Sequence, residues 1–221
     1  MNLKEAIVSR HSVRQYLDQP VGTTEREKLD ALIAGCNAEG NLHIQAVYDD
    51  SACFPSLLAH YGMFRNAKNY IVLAGKTSIP DLRGVCGYYG QRIVLAAQQM
   101  GMNTCWIGGS YKKKKIAAEL AEDEELVCII ALGYGETQGK PRRSKPISKL
   151  CNVPEAEMPK WFRHGMMAAQ LAPTALNQQR FFITLEGNTV TVTSTKKNAM
   201  AEIDRGIVRY QFEAGSGHPC L

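Results

Sequence analysis

The stretch RHSVRQY, residues 10 to 16, sets two arginines and a serine at every second position. In extended backbone alternate side chains point the same way, so Arg10, Ser12 and Arg14 can aim at one point; in a helix they would fan apart. Together they offer a bidentate fork, a hydroxyl and a second guanidinium, the donor set that a phosphate monoester accepts in charge-assisted geometry. The plainer use of the same residues is pairing with surface carboxylates. His11, inside the stretch, either joins the donors or is simply packed.

Three further segments carry groups suited to a small planar anion. LAPTALNQQRFF (171 to 182) breaks a helix at Pro173 and then offers Thr174, Asn177 and Gln178, short polar groups on a rigid loop that can bond the edge of a heterocycle. NTCWIGGSY (103 to 111) offers Trp106 and Ile107 beside Gly108 and Gly109, whose missing Cβ atoms let backbone amides approach a ring. GKPRRSKP (139 to 146) adds Arg142 and Arg143 as a second basic element. Each also has an ordinary structural use: a helix-to-strand turn, a core tryptophan before a turn, and a solvated basic loop.

These groups need a scaffold, and the pattern of apolar residues supplies one. Leu3, Ala6 and Ile7 form the stripe of a short opening helix that stops before Ser12. A second helix is expected from Thr24 to about Cys36, with Thr24 as N-cap and Glu27 completing a capping box. NYIVLAG (69 to 75) and ELVCIIALGY (125 to 134) are apolar runs of strand length, and YYGQRIVLAAQQMGM between them has helical spacing. RFFITLEGNTVTVTST reads as a hairpin about Gly187-Asn188. Residues 137 to 159, rich in Gly, Pro, Lys and Arg, form a linker or wrapping arm.

Composition excludes several classes. At 221 residues and 45% apolar content the chain can bury one good core or two small ones. The longest apolar run, Leu126 to Leu132, is too short to span a bilayer, and the opening residues lack a signal-peptide stretch, so no membrane association and a cytoplasmic location are expected. Seven cysteines without a C-x-x-C pair give neither a disulfide framework nor a zinc ribbon. The five histidines have no metal-like spacing, and no metal is expected. The net charge of +5 is spread out, against a nucleic-acid surface; its one dense cluster, Lys112 to Lys115, reads as a solvated face opening a helix through IAAELA. Cys105 reads as core filling.

Within the chain, a shift of 136 residues lays LIAGCNAEGNLHIQAVY over AAQLAPTALNQQRFFIT, with Asn41 on Asn177. A shift of 116 lays YYGQRIVLAAQQMG over DRGIVRYQFEAGSG, with Gly90 on Gly206 and Gly101 on Gly217. The repeated order of elements hints at a duplication in which residues 151 to 221 imitate a shortened second copy of residues 1 to 150.

The R-x-S-x-R after the first helix, the A-P-[ST]-x-x-N-x-Q turn before a strand, the L-A-A-x-x-x-G-M helix followed by T-C-W-I-G-G, and A-L-G-Y followed by a basic K-P arm resemble the nitroreductase family of FMN-dependent oxidoreductases. The resemblance implies an α+β fold, a mostly antiparallel central sheet of about five strands flanked by helices, in two pseudo-repeated halves. It also implies FMN, with its phosphate at Arg10, Ser12 and Arg14 and the arm near Arg142 and Arg143. Pro173, Thr174 and Asn177 would lie against the ring, which Ile107 to Gly109 would approach. Electrons would pass from NADH or NADPH to a nitroaromatic, quinone or similar small acceptor. Another flavin reaction, such as reductive dehalogenation, and a flavin-binding sensor or storage protein without turnover remain alternatives. In one respect the chain departs from the family: GCNAEGN occupies the place of the A-P-S-x-x-N turn in the first half, and APTALN stands in the second. One R-x-S-x-R and one A-P-T-x-x-N complete one site, so one FMN per chain is expected, in a monomeric pseudo-dimer or a homodimer.

Overall fold

The computed structural model describes residues 1–54 and 64–221; positions 55–63, His60 among them, lie outside the described residues. A four-stranded antiparallel sheet forms from β1 (Gln45–Val47), β2 (Asn69–Lys76), β3 (Asn103–Ile107) and β4 (Glu124–Gly133), in the order β1-β2-β4-β3. The helices are α1 (Leu3–Ser9), α2 (Thr23–Gly40), α3 (Leu82–Gln99), α4 (Lys160–Gln170) and α5 (Ala199–Ser216). The hairpin forms at the expected turn, with Gly187 at φ 61, but its strands β5 (Phe181–Glu186) and β6 (Thr189–Ser194) make a separate two-stranded sheet. The single sheet of about five strands is therefore corrected, among the described residues, to a sheet of four and a separate hairpin of two.

β4 is central and covered on both faces, which is why its sequence is apolar without alternation. Cys128, Ile130 and Leu132 face a core shared with α2, α3, α4, α5 and the hairpin, whereas Ile129 and Ala131 face a second core with Val13, Tyr16, Cys105 and Ile107. The first core joins residues from both segments of the chain. Among the described residues, no helix is long and apolar enough to cross a membrane.

Two local expectations are corrected. The second helix starts one residue early, with Gly22 as N-cap and no side-chain cap, so the Thr24–Glu27 box does not form; the helix runs on to Gly40 and stops at left-handed Asn41 (φ 51). Lys113–Lys115 form one 3-10 turn and the following IAAELA is not helical, because like charges in one turn repel and no cap offsets them. The capping box lies instead at α1, where Asn2 accepts from the Glu5 amide at 3.0 Å and Glu5 accepts from the Asn2 amide at 2.8 Å.

α3 and α5 touch backbone to backbone. A Cβ on Gly87 would sit 2.2 Å from the Ile203 carbonyl oxygen and 3.1 Å from the Ile207 nitrogen; on Gly206 it would sit 1.9 Å from the Gly84 carbonyl oxygen and 2.8 Å from the Tyr88 nitrogen. The contact is reciprocal: Gly87 meets positions 203 and 207 and Gly206 meets positions 84 and 88, so exchanging the helices matches 84 to 203, 87 to 206 and 88 to 207, each 119 residues on. Gly206 thus answers Gly87, where the sequence match set it on Gly90.

Candidate functional site

Arg10 is the C-cap of α1, where the chain leaves the helix at ψ 118 and turns extended. Ser12 then bridges to Thr104 in parallel, and the Val13 amide donates to the Thr104 carbonyl at 3.1 Å, which aligns residues 10–14 beside β3. Tyr16, buried, locks the stretch by donating its hydroxyl to the Val13 carbonyl at 2.7 Å. Within the stretch Arg10 is buried, Ser12 half-buried and Arg14 exposed, and all three charges or dipoles are felt at the Cys105 thiol of β3. Burial pushes the Cys105 thiol up, and the Arg14 charge, a hydrogen bond with Ser12 and the Arg10 charge each pull it back. Cys105 is 2% exposed in the second core, as its reading as core filling expects, and Ser12 lies within hydrogen-bond reach of it.

Arg10 is 1% exposed, and neither its Nε nor its Nη2 has a partner. Burial, and next the neighbouring Arg142, push its guanidinium down to about 9. Arg142 is pushed down to about 10 by burial, and its Nε is likewise unpartnered. Partial burial, and next the charges of Arg10 and Arg142, lower the pKa of His11. No ion pair involves Arg10 or Arg142 among the described residues, and positions 55–63 contain no Asp or Glu. Two desolvated guanidiniums without an anion cost several kcal/mol unless an anion arrives. Arg14 and Arg143 are exposed at the edge.

The arm is laid over this cradle. Asn103 donates to Gln138 at 3.0 Å and accepts from the Gly135 amide at 2.9 Å, while Gly139, at φ 78, passes so near that a Cβ would meet the His11 Cβ at 2.6 Å. Beyond Arg142 the arm meets the 173–179 turn. Asn177 donates to the Arg143 carbonyl at 2.7 Å, and buried Gln179 accepts from the Lys145 amide at 2.6 Å and donates to the Gln170 carbonyl at 2.9 Å. Asn177 therefore spends its amide group on the arm, and Gln178 is exposed; the strut is Gln179, the residue at which the A-P-T-x-x-N-x-Q pattern itself ends. Pro173 is buried, and Thr174 accepts from the Gln179 amide at 3.0 Å. Leu176 (φ 51), Asn177 (φ 53) and Gln179 (φ 46) are all left-handed without being glycine, so the turn is held under strain.

The loop after β3 reaches the same place through α5. A Cβ on Gly108 would lie 2.5 Å from the Met200 sulfur, and one helical turn later Asp204 accepts from the Ala175 amide with both oxygens at 3.0 Å. Gly109 is exposed with open space before it, and Ile107 is buried. Trp106 alternates to the other face of β3, where its indole donates to Gln91 at 3.3 Å and packs over Gly90; among the candidates it is the one turned away from the arginines. No sequence signal pointed to Asp204.

The site residues thus come from 10–14, 105–109, 138–145 and 173–179, and such a constellation can be set against known proteins. A family model described as "Putative TM nitroreductase" matches residues 2–216. A crystal structure of "a putative nitroreductase" from Thermotoga maritima is 24% identical, with a TM-score of 0.66 over 97% of this chain and 83% of that one. One from Desulfovibrio desulfuricans, a nitroreductase in complex with FMN, is 18% identical, with a TM-score of 0.52 over 70% of this chain and 98% of that one. One from Bacteroides thetaiotaomicron, described as a NADH dehydrogenase/NAD(P)H nitroreductase, is 23% identical, with a TM-score of 0.53 over 67% and 95%. No curated protein matches the sequence significantly. These structures share the fold, and the family model covers nearly the whole sequence: the chain belongs to the nitroreductase family.

Proposed function

We propose that the protein is an FMN-dependent oxidoreductase that takes electrons from NADH or NADPH and passes them to a nitroaromatic, quinone or similar small acceptor. The observation that carries this reading is the pair of guanidiniums at buried Arg10 and half-buried Arg142, with Nε and Nη2 of the first and Nε of the second inaccessible and unpartnered. A phosphate monoester supplies the missing anion and acceptors. The FMN bound by the Desulfovibrio relative has such a phosphate. FMN, when bound, supplies the hydride and electron chemistry.

The chain's own residues then have distinct tasks. Arg10, Ser12, Arg14 and Arg142 hold the phosphate, with Arg143 at the rim and His11 kept neutral. Gly108 and Gly109 leave room for backbone amides to face the ring. Pro173 and Thr174 present a rigid wall from the second segment, and Asn177 and Gln178 border it. Cationic and amide groups of this kind favour the negative charge of a reduced flavin.

Reading residues 1–150 and 151–221 as two halves of a pseudo-dimer is supported by the reciprocal α3–α5 contact, which would stand in for a subunit interface. One FMN per chain follows, since R-x-S-x-R and A-P-T-x-x-N each occur once. The test is to purify the chain, quantify visible flavin absorption against protein, and add NADH or NADPH without oxygen. Near-unit stoichiometry and rapid bleaching are expected. Absence of flavin, even after incubation with excess FMN, would overturn the reading, and bound flavin that never bleaches would make the protein a carrier or sensor.

A further inference from the structure

We propose that Asp204 is a positioning residue of this site: through the Ala175 amide it holds the strained 173–179 turn against the basic arm, and its ionisation sets how firmly that turn grips the flavin. The inference rests on the flavin reading given above.

Asp204 is 7% exposed on α5, yet its side chain makes no ion pair among the described residues, and both its oxygens share one donor, the Ala175 amide. A buried carboxylate with a single donor is costly where an apolar residue would suit the surrounding core. Its placement has one visible consequence, the conformation of the turn. Three left-handed residues other than glycine fall within four positions there, and Leu176 is 90% exposed, so apolar packing does not hold it. Polar ties do: Thr174 to the Gln179 amide, Asn177 to the Arg143 carbonyl, and Asp204 to Ala175. The first two lie within the turn and the arm, and Gln179 ties the turn to the end of α4 through the Gln170 carbonyl; Asp204 ties it to the interior of α5. One helical turn earlier on that helix, Met200 covers Gly108, so a single stretch of α5 sets the spacing between the two walls of the site.

The surroundings leave the carboxyl free to titrate. The titratable neighbours are thiols: burial, then Cys86 of α3 and the Asp204 charge, push the Cys128 thiol of β4 up. The turn offers the Thr174 hydroxyl and no charge. On α5 itself Glu202 is taken by Arg83 and Arg205 by Asp81. Burial lifts the Asp204 carboxyl to about 7, against the pull of the Ala175 amide. The carboxylate accepts a charge-assisted bond and the protonated form a weaker one, so acidification loosens the turn.

The test titrates FMN into the flavin-free wild type, Asp204→Ala and Asp204→Asn over a pH series spanning 7, with flavin fluorescence as readout. Asp204→Ala should weaken FMN about tenfold above pH 7. Asp204→Asn, which keeps an acceptor oxygen, should recover most of that loss. The wild type should show a step in affinity near pH 7, tighter at higher pH, that Asp204→Asn lacks; a step common to both belongs to the FMN phosphate and His11. The inference is overturned if Asp204→Ala binds as the wild type does, or if Asp204→Asn keeps the step. Should Asp204→Ala fail to fold, the wild-type and Asn profiles decide by themselves. A wild type that takes up no FMN overturns the flavin reading, whereas one that binds FMN beside an unaltered Ala variant overturns the role of Asp204 alone.

Discussion

Two arginine-bearing clefts adjoin the α3–α5 pair, and they treat charge in opposite ways. In the cradle beneath the arm, Arg10 is buried and Arg142 half-buried, both with inaccessible unpartnered nitrogens and no ion pair among the described residues. In a groove of about 350 Å³ bounded by Gly40, Asp81, Tyr88, Arg205 and Arg209, every cation is answered by the chain. Arg205 meets Asp81 at 2.5 Å, and Arg209 meets Glu213 at 3.2 Å and donates to the Cys220 carbonyl at 2.9 Å. On the pseudo-dimer reading proposed above, Asp81 and Val85 in that groove match Met200 and Asp204 beside the candidate site, 119 residues on. One cleft is therefore in want of an anion, and in the other each arginine already has its carboxylate. Unmet charge, more than the volume of a cavity, separates the proposed phosphate cradle from the groove.

The helix contact on which that correspondence rests gives the largest expected effect. Gly206→Ala would set a methyl 1.9 Å from the Gly84 carbonyl, and Gly87→Ala one 2.2 Å from the Ile203 carbonyl; backbone on both sides cannot yield cheaply. Each should cost about 3 kcal/mol or more in chemical denaturation. Similar losses are expected because the contact is reciprocal. If one variant were as stable as the wild type, the equivalence of the two helices would fail, and with it the matching of the two clefts.

The next effect belongs to the cradle. Arg10→Ala should weaken FMN by about 2 to 3 kcal/mol, roughly a hundredfold, through loss of charge-assisted bonds. Arg10→Met should weaken it as much while raising the melting temperature of the flavin-free protein, since it removes a buried cation that lacks a counter-charge. Loss of binding together with gain of stability is the signature of a residue kept for a ligand. A methionine variant that melts lower than the wild type would show that Arg10 is a structural group, and the contrast between the clefts would dissolve.

Much of this architecture could be read from residue order. β2 and β4 stand out because strands covered on both faces are apolar throughout, and the hairpin because Gly187 takes a backbone that other residues avoid. The alternation of Arg10, Ser12 and Arg14 indicated convergence, but not that Arg10 is buried while Arg14 is exposed, because depth depends on the arm that returns over them some 130 residues later. Gln179 was hidden behind its exposed neighbour Gln178, as spacing cannot tell which of two glutamines turns inward at a left-handed residue. Asp204 looked like any acidic residue on an amphipathic helix. Thr24 and Glu27 have capping-box spacing, yet Gly22 begins the helix, and local signatures of that kind yield by a residue or two to packing.

Asp204 gives a smaller effect whose sign depends on pH. Its carboxyl titrates near 7 in the folded chain and near 3.8 when unfolded, so folding takes up a proton between those values and stability falls as pH rises through that window. Asp204→Asn, which cannot ionise, should therefore be more stable than the wild type above pH 7, on the order of 2 kcal/mol, with the advantage shrinking as pH is lowered. Thermal unfolding of both proteins across the range measures this. A constant difference would mean that the carboxyl stays ionised throughout, and the site side would then hold its charges as comfortably as the groove does.

The smallest expected effect is the control on the groove. Arg205 and Asp81 are about one-third and two-fifths exposed, so water screens their pair, and Arg205→Ala should cost at most about 1 kcal/mol. More to the point, FMN affinity and stoichiometry should not change, because the groove meets its own charges and draws no phosphate. The double variant Arg205→Ala with Arg10→Ala should bind FMN as weakly as Arg10→Ala alone. If Arg205→Ala instead lowered the flavin content by half in a protein carrying two per chain, both clefts would be flavin sites. The pairing of Arg205 with Asp81 would then be a state that the ligand displaces, and unmet charge would cease to distinguish the two sides of the molecule.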